Sequence, residues 1–202
     1  MGAAAAGWHG KLPTLGDFAS RRLSPSFIEV WDRWLSEEID ALKRADPQGW
    51  LQAYLDSPVW RFVLMPGALP GEAGRHAWAG VLMPSVDRVG RYFPFTIAHP
   101  FAPQPQGAQP GGHLLEWLHQ LDDAAAEALH DDWSVERLEA ELLRLPPPII
   151  DALPAGDHIN STFWTAVPPE VEPRSLASPG LPCAGQFAAL LGRDPTGPAP
   201  AR

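Results

Sequence analysis

The chain has 202 residues, 45% of them hydrophobic, with a net charge of −9; this length and composition suit one folded domain with its own core. Pro 24 and Gly 18 make up about a fifth of the chain and argue against a plain helical bundle, because both punctuate turns. The single cysteine, Cys183, excludes an internal disulfide and a thiolate zinc site built from one chain, and fits a reducing compartment.

In chain order, the opening MGAAAAGWHGK has neither the basic n-region nor the apolar run of a signal peptide. No stretch approaches membrane-span length, so no membrane insertion and a cytoplasmic location are expected. Residues 8–12 read as a short strand followed by a turn from Pro13 to Gly16, after which Asp17-Phe18 leads on. Ser24-Pro25 starts a helix, with Ser26 and Glu29 as a competing capping box. Ile28, Trp31, Leu35, Ile39 and Leu42 then form one apolar stripe, which ends near Asp46-Pro47. Residues 48–56 suggest a shorter helix.

Residues 59–65 and 76–83 are apolar on both alternating faces, as inner strands are. Residues 91–98 read as a third strand, with Pro94 pointing to an edge position or a bulge. The short loop before it predicts antiparallel pairing with the second. A Pro/Gln/Gly linker over 100–112 leads to a long amphipathic helix through Leu114, Leu118, Leu121, Ala125 and Leu129. Ser134 caps a second helix, which Pro146-Pro147-Pro148 stops. A strand at 162–167, a helix from Cys183 to Leu191 and a disordered tail over 192–202 complete the reading. Helices packed on a mixed sheet fit this order.

Charge is unevenly placed. Residues 1–100 carry ten basic and ten acidic side chains, whereas 101–202 carry five and fourteen. A nucleic-acid partner would want the opposite sign. The acidic helical face from Glu116 to Glu141 is either simply solvated or able to steer a basic protein.

Two polar turns stand out. Pro84-Ser85-Val86-Asp87-Arg88-Val89-Gly90-Arg91 puts two guanidiniums beside a glycine turn, where they could hold a carboxylate or phosphate. The plainer reading is a hairpin in which Asp87 pairs with an arginine and Gly90 supplies the left-handed bend. Lys11 and Asp17 flank the other turn, which lacks the order of a phosphate-binding P-loop. A hydrolase could be assembled from Ser85, Asp87 and a histidine, yet no Gly-x-Ser-x-Gly elbow surrounds Ser85. Glu116-x-x-His119 and Glu127-x-x-His130 have di-iron spacing, but on one helix they stand roughly 16 Å apart and cannot share a metal pair. Most of the nine tryptophans fall at predicted core positions, which favours packing over an aromatic cage. No metal site and no catalytic residue is expected.

Four stretches taken together resemble the TagF (ImpM) family: 7–27 (GWHGKLPTLGDFASRRLSPSF), 57–67 (SPVWRFVLMPG), 78–96 (WAGVLMPSVDRVGRYFPFT), and the late group FWT (163–165), GLP (180–182) and FAALL (187–191). Phe163 departs from that family's usual Ser-x-Trp-Trp-Thr. The resemblance implies a domain over 1–191 with an α/β three-layer αβα sandwich and a mixed, largely antiparallel central sheet. It implies a cytoplasmic, cofactor-free, non-catalytic accessory protein of type VI secretion that represses the system post-translationally. The implied partner is the FHA-domain scaffold protein, which would be held away from assembly. A PppA-like phosphatase, fused to some relatives, is expected here as a separate polypeptide. The partner-binding candidates are Lys11, Asp17, Ser85, Asp87, Arg88 and Arg91; a hydrolase, or a module binding small anions or phosphopeptides, is the alternative.

Overall fold

The computed structural model describes residues 5–101, 112–148, 161–165 and 174–190. Within them run β1 (Gly7–Gly10), β2 (Ala19–Arg21), α1 (Pro25–Ala45), α2 (Trp50–Leu55), β3 (Trp60–Leu64), β4 (Ala77–Met83) and β5 (Phe95–Phe101). They are followed by α3 (Gly112–His130), α4 (Val135–Arg144), β6 (Ser161–Thr165), β7 (Ser175–Ser178) and α5 (Gly185–Leu190). The strands form one seven-stranded sheet in the order β2-β1-β5-β4-β3-β6-β7.

Each strand sends alternate side chains to opposite faces, and each face is covered by helices. On one face Trp60, Phe62, Leu64, Trp78, Leu82 and Phe163 pack with α1, with Tyr54 of α2 and with Phe187 and Leu190 of α5. On the other, Trp8, Ala79, Val81, Phe95 and Ile97 pack beneath α3 and α4. The result is a single-domain, three-layer αβα sandwich. Among the described residues every strand pairing is antiparallel, so the sheet expected to be mixed and largely antiparallel is antiparallel throughout.

The caps follow local chemistry. The Ser24 hydroxyl accepts from Phe27 N–H at 3.2 Å, so Ser24 rather than Ser26 starts α1. Ser134 accepts from Arg137 N–H at 3.3 Å and starts α4. Buried indoles on the α1 side find acceptors: Trp31 donates to Thr96, Trp34 to Pro182 O and Trp78 to Ala73 O, whereas the buried Trp133 Nε1 has no partner among the described residues. Trp8 donates to Glu139, tying α4 to β1.

Four expectations change. The third strand of the linear reading begins at Phe95, not residue 91, because Phe93 N–H donates to Ser85 O and Arg91 O accepts from Asp87 N–H within a loop. Pro94 therefore precedes the strand, and β5 is interior, between β1 and β4. Pro100 and Phe101 belong to β5 rather than to a linker; Pro100 pairs with Trp78, past the end of β1, where its missing N–H costs no ladder bond. The strands β2 and β7 were not foreseen. The proposed tail over 192–202, the linker interior and the last two residues of the predicted 162–167 strand lie outside the described residues. Among the described residues no helix is long and apolar enough to cross a membrane.

Gly80 marks the tightest strand approach. A Cβ there would sit 2.1 Å from Ile97 O and 2.8 Å from Ala98 Cα, both backbone atoms. Gly80→Ala is expected to destabilise the fold by about 2–3 kcal/mol. Thermal denaturation should show this as a fall in Tm of roughly 4–12 °C for a chain of this size.

Candidate functional site

The candidate residues are gathered by sheet topology. β1 and β5 are antiparallel, with His9 opposite Thr96, so the end of β1 lies beside the start of β5. The β1–β2 loop (residues 11–18) and the β4–β5 loop (residues 84–94) consequently emerge at the same sheet end. Gly10 makes the junction possible. Its φ is +131°, and a Cβ would meet Pro94 O at 2.3 Å.

Asp87 joins the two loops. Its Oδ2 accepts from Lys11 Nζ at 2.7 Å and from Arg91 Nε at 2.7 Å. Its Oδ1 accepts from the backbone N–H of Val89 at 3.0 Å and of Arg91 at 2.9 Å. The Lys11 and Asp87 side chains are only 4% and 0% exposed. Burial by itself would raise the carboxyl pKa, but the bonds from Lys11, Arg91 and Val89 outweigh it and hold Asp87 well below the usual carboxylate range. Gly90 turns the loop with φ +83°, and its N–H donates to Asp87 O.

Ser85 ties the same loop to its surroundings. Its buried hydroxyl donates to Lys11 O at 2.7 Å, its N–H donates to the Tyr54 hydroxyl, and Tyr54 donates back to Ser85 O, both at 2.8 Å. Arg91 also donates to Gly16 O and lies 3.6 Å from Asp17 Oδ1. Arg88 N–H donates to Leu15 O at 3.0 Å. Its exposed side chain has no ion-pair partner among the described residues.

The six sequence candidates thus lie in one cluster, in two tiers. Lys11, Ser85 and Asp87 are buried, whereas Asp17, Arg88 and Arg91 are exposed. The sequence reading missed Phe18, His9, Phe93 and Tyr54. Lys11 Nζ lies 4.2 Å from the Phe18 ring centroid, Phe93 meets that ring edge-on, and His9 stacks on it. His9 Nε2 faces Asp32 Oδ1 at 3.4 Å; burial lowers its pKa, against the pull of Asp32. The spacing His9-x-Lys11 on alternating positions was the available signal, but the ring that covers both comes from the far side of the turn.

This arrangement does not assemble the Ser85/Asp87/histidine set that a hydrolase would need. The Ser85 proton is committed to a carbonyl, Asp87 holds two cations, and no described histidine hydrogen-bonds to either. His119 lies against Arg61, which also pairs with Asp122. Among the described residues no group of three or more metal-ligating side chains could hold an ion.

The low pKa of Asp87 fixes an expected pH dependence. Above about pH 4 the unfolded carboxylate is ionised and the paired native one contributes its full stability. That contribution is lost as pH falls further, toward the lower native value, because the native state must then take up a proton. Asp87→Asn should lower Tm at neutral pH and flatten the acid side of the stability profile below about pH 4. A Tm series from acid to neutral pH checks both.

The family model described as TagF N-terminal domain, type VI secretion system-associated, matches residues 7–145. The crystal structure of PA0076 from Pseudomonas aeruginosa PAO1 is similar, with a TM-score of 0.76 and 30% identity over 96% of this chain and 98% of that one. No curated protein matches the chain. With a match across most of its length and a solved relative of the same shape, the chain belongs to the TagF family of type VI secretion system-associated proteins.

Proposed function

We propose that this type VI secretion accessory protein is a non-catalytic, post-translational repressor that acts in the cytoplasm by binding the FHA-domain scaffold protein and keeping it from assembly. Repression then follows mass action: the fraction of scaffold withheld is set by the abundance of the protein and its affinity. A PppA-like phosphatase belongs to the same control circuit in this reading.

The observation that carries the reading is the two-tier cluster. Buried Lys11, Ser85 and Asp87 fix two loops, and the fixed loops present Arg88, Arg91 and Asp17 outward. A side chain on a braced loop loses less freedom on docking, so more of each contact appears as affinity. Arg88 in particular faces solvent without a carboxylate from the described residues, which leaves it available to one on a partner.

Pull-down with purified scaffold tests this. The double variant Arg88→Ala, Arg91→Ala should weaken capture by about tenfold or more, as loss of interface arginines does. Unchanged capture would exclude these arginines as contacts. In cells, loss of the protein should release secretion without changing the transcript levels of the apparatus.

A further inference from the structure

Several large hydrophobic side chains are exposed among the described residues, and two of them, Phe18 at 45% and Val89 at 64%, belong to the two loops that Asp87 joins. The Phe18 ring lies over Lys11 Nζ, which binds Asp87 Oδ2, while Val89 N–H binds Asp87 Oδ1. Phe18 and Val89 are thus linked to the two oxygens of one buried carboxylate, the first through the Lys11 ammonium and the second through its own backbone N–H.

The Phe18 ring is exposed but not free. Lys11 lies against its face, Phe93 stands edge-on with centroids 4.8 Å apart, and His9 stacks at 5.9 Å. Asp17 Oδ1 accepts from Phe18 N–H at 2.8 Å and fixes the backbone too. An exposed aromatic held this way has already lost most of its rotamer freedom, which is the condition under which a side chain dominates an interface.

The surrounding charges define what would fit. Asp17 and Arg91 lie 3.6 Å apart and largely offset one another, and Asp32, 43% exposed, faces His9. Arg88 adjoins Val89, and its Nη2 lies 3.9 Å from where a Cβ on Gly16 would stand. Among the described residues it is the cation of this cluster with no carboxylate against it. A lipid surface is a poor match, since two apolar side chains give little anchoring area and a chain of net charge −9 is repelled by anionic headgroups.

We propose that Phe18 and Val89 form the apolar centre of a docking surface, rimmed by Arg88, for a folded protein that presents an apolar pocket beside a carboxylate. The proposal rests on the sequestration reading and adds that the apolar pair, rather than the arginines alone, supplies most of the affinity.

Isothermal titration of the full chain with the purified FHA-domain scaffold from the same secretion system tests it. Phe18→Ser and Val89→Asn should each raise Kd by about tenfold, and Arg88→Ala by about threefold or more. Leu55→Ser, an equally exposed apolar site on α2, should leave Kd unchanged. Val89→Asn keeps the test valid if Phe18→Ser disturbs its loop, since the fixed part of Val89 is its backbone N–H. Wild-type protein that fails to bind the scaffold overturns both readings. Tight binding that survives Phe18→Ser and Val89→Asn overturns this inference alone. Displacement of the scaffold by millimolar inorganic phosphate would also overturn it, by making the cluster an anion site.

Discussion

A buried carboxylate with two cations and two backbone donors around it organises one end of this molecule. Asp87 would be costly to bury alone, since an isolated charge loses its hydration. Lys11 and Arg91 supply compensating charge, and the Val89 and Arg91 N–H groups complete the shell. Asp87 and its two charged partners come from two hairpin loops, so satisfying the carboxylate and joining the loops are one event. The exposed residues of both loops inherit their positions from that joint.

The joint depends in turn on the sheet. Gly10 lets β1 approach Pro94 closely enough for Lys11 to turn inward, and Tyr54 of α2 clasps the backbone of Ser85 from the helical layer. The site therefore draws on β1, α2 and the β4–β5 connection at once. Such a framework suits recognition: rigid beneath, with a cation and apolar side chains above. It suits acyl transfer poorly, because the serine hydroxyl and the carboxylate are already consumed by structural bonds.

The two faces of the sheet carry different kinds of core. The α1 side is aromatic, with Phe27 and Trp31 stacked and Trp31 against Trp34 and Phe62. The α3 side is built largely from Leu and Ala beneath a longer helix pair. Aromatic side chains bury more area each, and a buried indole N–H usually takes an acceptor. That explains why loop carbonyls such as Ala73 O and Pro182 O, rather than side chains alone, close over the first face.

Much of this was legible in the linear chain. The α1 stripe, both serine caps, the two inner strands and their antiparallel third all follow from periodicity and turn chemistry, which are local. So did the pairing of Asp87 with an arginine and the bend at Gly90, because residues four apart in one hairpin loop meet by geometry alone. The short strands β2 and β7 were hidden, since three or four residues carry no period and take their conformation from a neighbour's free edge.

What only the tertiary structure decided was which polar residues meet and which stay in water. Lys11 and Asp87 are 76 residues apart, and nothing local distinguishes a lysine that will be buried from one that will be solvated. Antiparallel pairing of β1 with β5 brings the two turns to one end of the sheet and sends Lys11 inward. The same pairing leaves Phe18, an ordinary core residue by composition, on the surface, because the space beneath its ring is already filled by the ammonium, His9 and Phe93.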